Sequence, residues 1–218
     1  KGFCPINFHK INTFSSNNNI CSIKYINYPG EIMPYCTTDF YKLDDIFTIE
    51  EKMIADTVRE FVETEVLPII EKHYENATFP MELIPKMAEL GLFGITIPQE
   101  YGGLNSTYTI YGLAMQELER GDSAIRSFAS VQNSLVMFPI NEYGTESQKQ
   151  KWLPRLAKGE AIGCFGLTEP DYGSNPGGMI TTAKKIDGGY LLNGAKMWIT
   201  NGTIADIAIV WAKLDGVV

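Results

Sequence analysis

The apolar periodicity of this 218-residue chain changes once, near Ala161, from the spacing of helices to the two-residue spacing of strands. A chain divided in this way is expected to fold as α+β. An all-α helical domain takes residues 39–160 and an antiparallel β domain takes residues 161–218. Thr48-Ile49-Glu50-Glu51 sets a hydroxyl three residues ahead of a carboxylate, the capping box that opens a helix. Behind it Met53, Ile54, Val58, Phe61, Val62 and Leu67 recur at helical spacing as far as Pro68. That proline removes a ladder donor and should end or kink the helix. A second helix follows Phe79-Pro80, with Leu83, Ile84, Met87 and Leu90 on one face and Gly91 as its C-cap. Residues 97–103 read as a loop. A third helix runs from Ser106 or Thr107 to Arg120, and a fourth from Ser123 to Tyr143. A fifth opens at the capping box Thr145-Glu146-Ser147-Gln148 and closes at Gly159.

Strand candidates are 162–168, 181–186, 190–192, 196–200 and 207–212, with hairpin signals at Asp187-Gly188-Gly189 and Asn193-Gly194. The last runs into the turn Leu214-Asp215-Gly216 with two residues beyond it, so the sheet is expected to be incomplete and the chain truncated. Residues 1–38 stand apart. They are rich in Asn and Ser, carry no acidic residue before Glu31 and show no period. They read as a leader or tail outside the fold: an organelle transit segment without the Arg such segments favour, a flexible tail, or an upstream sequence unrelated to the fold.

A net charge of −8 speaks against nucleic acid or an anionic membrane surface as the main partner, since both select basic faces. No apolar run approaches the roughly 18 residues that cross a bilayer, so membrane insertion is not expected. Cys4, Cys21, Cys36 and Cys164, with only His9 and His73, match no zinc spacing and read as reduced thiols.

Two segments suggest chemistry. From Cys164 to Asn175 a strand turns through Pro170 and Gly173 into hydroxyls and backbone N–H groups, which suits the rim of a flat polar ring and nearby phosphates. An ordinary strand-turn explains it equally. In Lys196-Met197-Trp198-Ile199-Thr200-Asn201, strand alternation would put Trp198 and Thr200 on one face. A core Trp beside a surface Thr also accounts for that pair. Arg126 stands among Ile125, Phe128, Ala129 and Val131 on the fourth helix. It either pairs with Glu119 or Asp122, snorkels to water, or holds a carboxylate with its planar fork.

Taken together, Ile-Pro-x-Glu-Tyr-Gly-Gly (97–103), Leu-Thr-Glu-Pro-x-x-Gly-Ser (167–174) and Lys-x-Trp-Ile-Thr-Asn (196–201) resemble the acyl-CoA dehydrogenase family. The resemblance covers residue 39 to the C-terminus, and residues 122–137 are most similar to glutaryl-CoA dehydrogenases. It implies an N-terminal helical domain, a middle β domain and a C-terminal helical bundle, the last missing here, with FAD between the last two. By motif, Phe165, Leu167, Thr168, Gly173 and Ser174 would line the flavin, and Ser174 would also lie near the CoA pyrophosphate. Trp198 and Ile199 would lie along the isoalloxazine, with the Thr200 hydroxyl approaching N5. Arg126 would hold the distal carboxylate of glutaryl-CoA beside Glu119, Ser127 and Ser130.

The implied reaction removes the α-proton with a carboxylate and passes a hydride from Cβ to the flavin, giving crotonyl-CoA after decarboxylation. By the same resemblance an electron-transfer flavoprotein would accept the electrons, and the enzyme would be a homotetramer of fatty acid and amino acid catabolism. The base Glu is expected beyond residue 218, so this stretch alone is expected to be inactive. Alternatives are a short-chain acyl-CoA dehydrogenase or oxidase, a non-decarboxylating glutaryl-CoA desaturase, and a truncated non-catalytic homologue acting as a binding or assembly partner. The sequence downstream of Val218 separates the last from the rest. The expected compartment is the mitochondrial matrix in a eukaryote and the cytoplasm in a bacterium.

Overall fold

Local signals place most of the helices. The computed structural model describes residues 40–218, so the leader 1–38, with Cys4, Cys21, Cys36 and His9, lies outside the described residues. The α-helices are α1 (Ile49–Phe61), α2 (Leu67–Glu75), α3 (Leu83–Glu89), α4 (Tyr108–Gly121), α5 (Ser123–Ser130), α6 (Phe138–Tyr143) and α7 (Glu146–Ala157). Both capping boxes form. The Glu51 N–H donates to Thr48 Oγ1 while the Thr48 N–H donates to the Glu51 carboxylate at 2.8 Å. Thr145 and Gln148 repeat the exchange at the start of α7. No helix among the described residues is long and apolar enough to cross a membrane.

Pro68 does not stop the first helix. The turn Val62–Val66 widens to π spacing, with the Leu67 N–H bonded to the Val62 carbonyl, and α2 carries on with Pro68 near its start. A wider turn makes room for the carbonyl that the proline ring would strike in a regular helix. Pro139 is accommodated in the same way. The expected single helix over 123–143 is α5, then a π turn Val131–Met137, then α6.

The core joins Val58, Phe61, Val62 and Val66 to Leu83, Ile84, Met87, Phe93, Leu118, Ile125, Phe128, Leu153 and Leu156. Met53 and Leu90, expected on the apolar faces, are instead exposed at the edges of their helices. Two amides of the second π turn are buried at the centre. Asn133 Oδ1 accepts the Gly94 and Ile95 N–H groups, and its Nδ2 donates to the Leu92 and Ala129 carbonyls. Gln132 Nε2 donates to the Leu156 and Ala161 carbonyls, and its Oε1 accepts the Gly163 N–H. Every hydrogen-bonding atom of both side chains is therefore used, which is what makes burying them tolerable. A buried carboxylate ties α1 to α4. Glu117 takes a two-point bond from Arg59 (2.8 and 3.1 Å) and a third from Arg120 (2.9 Å). Burial alone would raise this carboxyl, but the two guanidiniums hold it below the usual carboxylate range.

Helix gives way to strand between Ala157 and Gly163. β1 (Gly163–Gly166) lies against the second π turn, so closely that a Cβ on Gly163 would stand 2.4 Å from Val136 Cγ1. It pairs with β4 (Ile207–Val210). β2 (Thr182–Ile186) pairs with β3 (Gly189–Asn193) and with β5 (Lys213–Leu214). Among the ladders of the described residues the β2–β3 hairpin is antiparallel, turning at Asp187-Gly188 as expected, whereas the β1–β4 and β2–β5 ladders are parallel, against the antiparallel sheet expected. Each parallel pair is joined by a long stretch of chain, which such a pairing requires.

Two further expectations fail here. Asn193-Gly194 is not a hairpin: Asn193 ends β3, and Gly194 leads the chain away past Thr181. Residues 196–200 form no strand, so Trp198 and Thr200 do not share a strand face.

Candidate flavin and acyl-substrate site

The segment 196–201 is irregular because long-range bonds hold it. The Met197 N–H donates to the Thr168 carbonyl at 2.9 Å, and Asn201 Nδ2 donates to the Gly163 carbonyl at 3.1 Å. Between these anchors Trp198 takes a left-handed backbone (φ 60°) and the residue is 82% exposed. An aromatic residue at positive φ is an outlier that only its surroundings can impose. The result is a solvent-exposed indole with Ile199 half-buried and Thr200 exposed beside it.

The turn after β1 faces the same segment. Phe165 is half-buried and meets Trp211 edge-on, with ring centroids 6.3 Å apart. Leu167 and Thr168 are half-buried, whereas Gly173 and Ser174 are exposed. Nothing lies within 4 Å of where a Cβ on Gly173 would stand. The backbone N–H groups of Gly173, Ser174 and Asn175 have no acceptor among the described residues. An open glycine, a hydroxyl and unused amides beside an exposed indole fit a flat ring and its phosphates. Cys164 is a buried free cysteine, and burial pushes its thiol up, so it is not a nucleophile candidate.

Sequence reasoning missed what joins the two motifs. Glu169, only 2% exposed, accepts the Ile180 N–H at 2.7 Å, the Thr181 N–H at 3.0 Å and Lys196 Nζ at 2.9 Å. Lys196 also donates to the Leu167 carbonyl at 3.0 Å. Burial would raise the Glu169 carboxyl, yet Lys196 and the two amides outweigh it and hold it at about 2. A carboxyl depressed on folding contributes stability that is present above its unfolded value and lost as pH falls through the folded one. In urea titrations, wild type should therefore exceed Glu169→Gln in stability at pH 7. The gap should close as pH falls from about 4.5 to about 2. A gap that stays constant over that window would contradict the assignment.

A second cluster lies on α4 and α5. Arg126 Nε bonds to Glu119, whose other oxygen accepts Ser123 Oγ at 2.7 Å. Arg126 and then Ser123 hold the Glu119 carboxyl below the usual range. Asp122 does not pair with Arg126; it caps α5 by accepting the Ala124 and Ile125 N–H groups. With Nε taken, the two terminal nitrogens of Arg126 have no partner among the described residues, and the side chain is 34% exposed. Ser127 and Ser130 are half-buried. The Tyr111 hydroxyl donates to Ser130 at 3.4 Å and accepts from Ser134 at 2.7 Å. Tyr111 and Ser134 were not anticipated, although Ser127, Ser130 and Ser134 share the helical spacing of one face.

A helical bundle leading into two small sheets, with an aromatic plane and unused amides beside the turn after β1, defines a protein built to hold a flat ligand. Residues 48–160 match the N-terminal domain of acyl-CoA dehydrogenases and residues 164–217 match their middle domain. An acyl-CoA dehydrogenase of Bacillus subtilis is 44% identical over 76% of this chain and 44% of its own length. A short-chain specific acyl-CoA dehydrogenase of Clostridium acetobutylicum is 42% identical over 79% of this chain and 46% of its own. Among solved structures, a glutaryl-CoA dehydrogenase of Mycobacterium smegmatis in complex with FADH2 superposes with a TM-score of 0.78. It is 52% identical, covering 80% of this chain and 45% of that one. This chain belongs to the acyl-CoA dehydrogenase family. It spans less than half the length of these relatives.

Proposed function

We propose that the protein binds FAD and oxidises the Cα–Cβ bond of glutaryl-CoA, with loss of carbon dioxide to give crotonyl-CoA. The observation that carries the substrate reading is the Arg126 fork. Glu119 fixes the guanidinium through Nε and leaves both terminal nitrogens without a protein acceptor among the described residues. A half-buried fork of this kind suits a carboxylate, which accepts two parallel N–H bonds. A plain acyl chain would leave the same cation without a partner, which is unfavourable once water is displaced. The similarity to a glutaryl-CoA dehydrogenase at 52% identity supports the same substrate.

When bound, FAD would supply the hydride acceptor. Trp198 would cover one edge of its ring, and Ser174 with the amides of Gly173 and Asn175 would bind hydroxyl or phosphate oxygens. Ser130, held by Tyr111, would offer its hydroxyl to the substrate carboxylate. No residue of this chain is assigned as the base. Electron-transfer flavoprotein as acceptor and a homotetrameric assembly belong to the same proposal. The similarity to a short-chain enzyme at 42% identity favours a second reading, a short monocarboxylic acyl-CoA.

The full-length protein is expected to purify with a flavin absorbance band, to prefer glutaryl-CoA over butyryl-CoA and to release carbon dioxide. A protein that takes up no flavin, even when FAD is present during refolding, would refute the cofactor. Faster turnover of butyryl-CoA would select the second reading. Oxidation of glutaryl-CoA without carbon dioxide would identify a non-decarboxylating desaturase.

A further inference from the structure

We propose that Glu169 and Lys196 are a positioning pair that sets the Trp198 segment against the turn after β1; its consequence for flavin binding rests on the cofactor reading above. Three stretches distant in sequence converge on this one buried pair. Glu169 belongs to the turn, Ile180 and Thr181 lead into β2, and Lys196 starts the irregular segment. Lys196 also reaches back to the Leu167 carbonyl, and next to it the Met197 N–H bonds to Thr168. Lys196 and Met197 thus fix one end of the segment, and Asn201 fixes the other on Gly163.

Between these anchors Trp198 has a left-handed backbone, and the anchor Asn201 has a second. Without the clamp such a conformation relaxes, because positive φ is unfavourable for residues with a Cβ. Lys196 is 12% exposed and the Glu169 side chain 1%, so water competes weakly for either partner. The pair therefore does more than tie a turn to a loop: it decides where the exposed indole stands.

The test compares Glu169→Gln, Lys196→Met and the double variant in the full-length protein. Gly121→Ala serves as a remote control, because its added Cβ would meet Val62 Cγ1 at 2.6 Å and lower stability without touching the clamp. Each is measured for Tm, for the Kd of added FAD and for hydrogen exchange at the Met197 amide. In the single variants Met197 should exchange about tenfold faster, as a locally opened segment does, with FAD binding weakened to a similar degree. The double variant buries no unpaired charge and should regain much of the Tm while keeping the fast exchange and weak FAD binding. Met197 exchange that follows Tm alone, as in Gly121→Ala, would overturn the proposal. So would a double variant restored in all three measurements. If wild type binds no FAD, the cofactor reading fails, and the Met197 exchange ratio still decides the clamp.

Discussion

Arg126→Ala in the full-length enzyme should lower kcat/KM for glutaryl-CoA by about 2–5 kcal/mol, the range for removing one partner of a desolvated charge pair. That corresponds to roughly 30- to 5,000-fold. The upper end requires the bound acyl chain to displace water from a side chain that is 34% exposed in this chain alone. Butyryl-CoA carries no distal carboxylate, so its kcat/KM should fall far less. Arg126→Lys should recover only part of the loss, since an ammonium offers a point charge where the fork offers two parallel bonds. Steady-state kinetics on the two substrates decides the matter. Equal losses on both would make Arg126 a structural partner of Glu119 and shift the assignment to a short monocarboxylic acyl-CoA.

The largest effect on stability is expected at Asn133. Asn133→Leu keeps the branching and heavy-atom count of the side chain but leaves the Gly94 and Ile95 N–H groups and the Leu92 carbonyl without their buried partner. Each orphaned group costs about 1–3 kcal/mol, so the variant should lose about 3 kcal/mol or more. That is a large share of the total for a domain whose stability lies in the range of about 5–15 kcal/mol. Urea unfolding should show a much lower midpoint with an unchanged slope. A loss below about 1 kcal/mol would mean that these groups find water or new partners when the amide is gone.

Much of the helical architecture was legible because its signals are local. Thr48 with Glu51 and Thr145 with Gln148 act across three residues, and Gly91 and Gly159 end their helices with positive φ. The Pro68 signal was readable but its outcome was not. Whether a proline stops a helix or is absorbed by a π turn depends on packing across the helix, where Val62 and Val66 are fully buried. The candidate residues could be named from their motifs, and the hairpin at Asp187-Gly188 from its turn residues.

Tertiary structure decided how those residues are presented. Residues 196–200 have the β-branched and aromatic side chains of a strand, yet Lys196 is drawn to Glu169, 27 residues earlier, and the strand does not form. The Glu117–Arg59 bond spans 58 residues and the Asn133–Leu92 bond 41, distances at which neither sequence period nor propensity carries information. The same holds for Arg126. Its type and position were evident from the chain, but only the fold shows that Glu119 takes Nε, that Asp122 is occupied in capping α5, and that the fork is left open. Local hydrogen bonds and periodicity determine elements, whereas partner choice among buried charges is settled by desolvation, which exists only once the elements have packed.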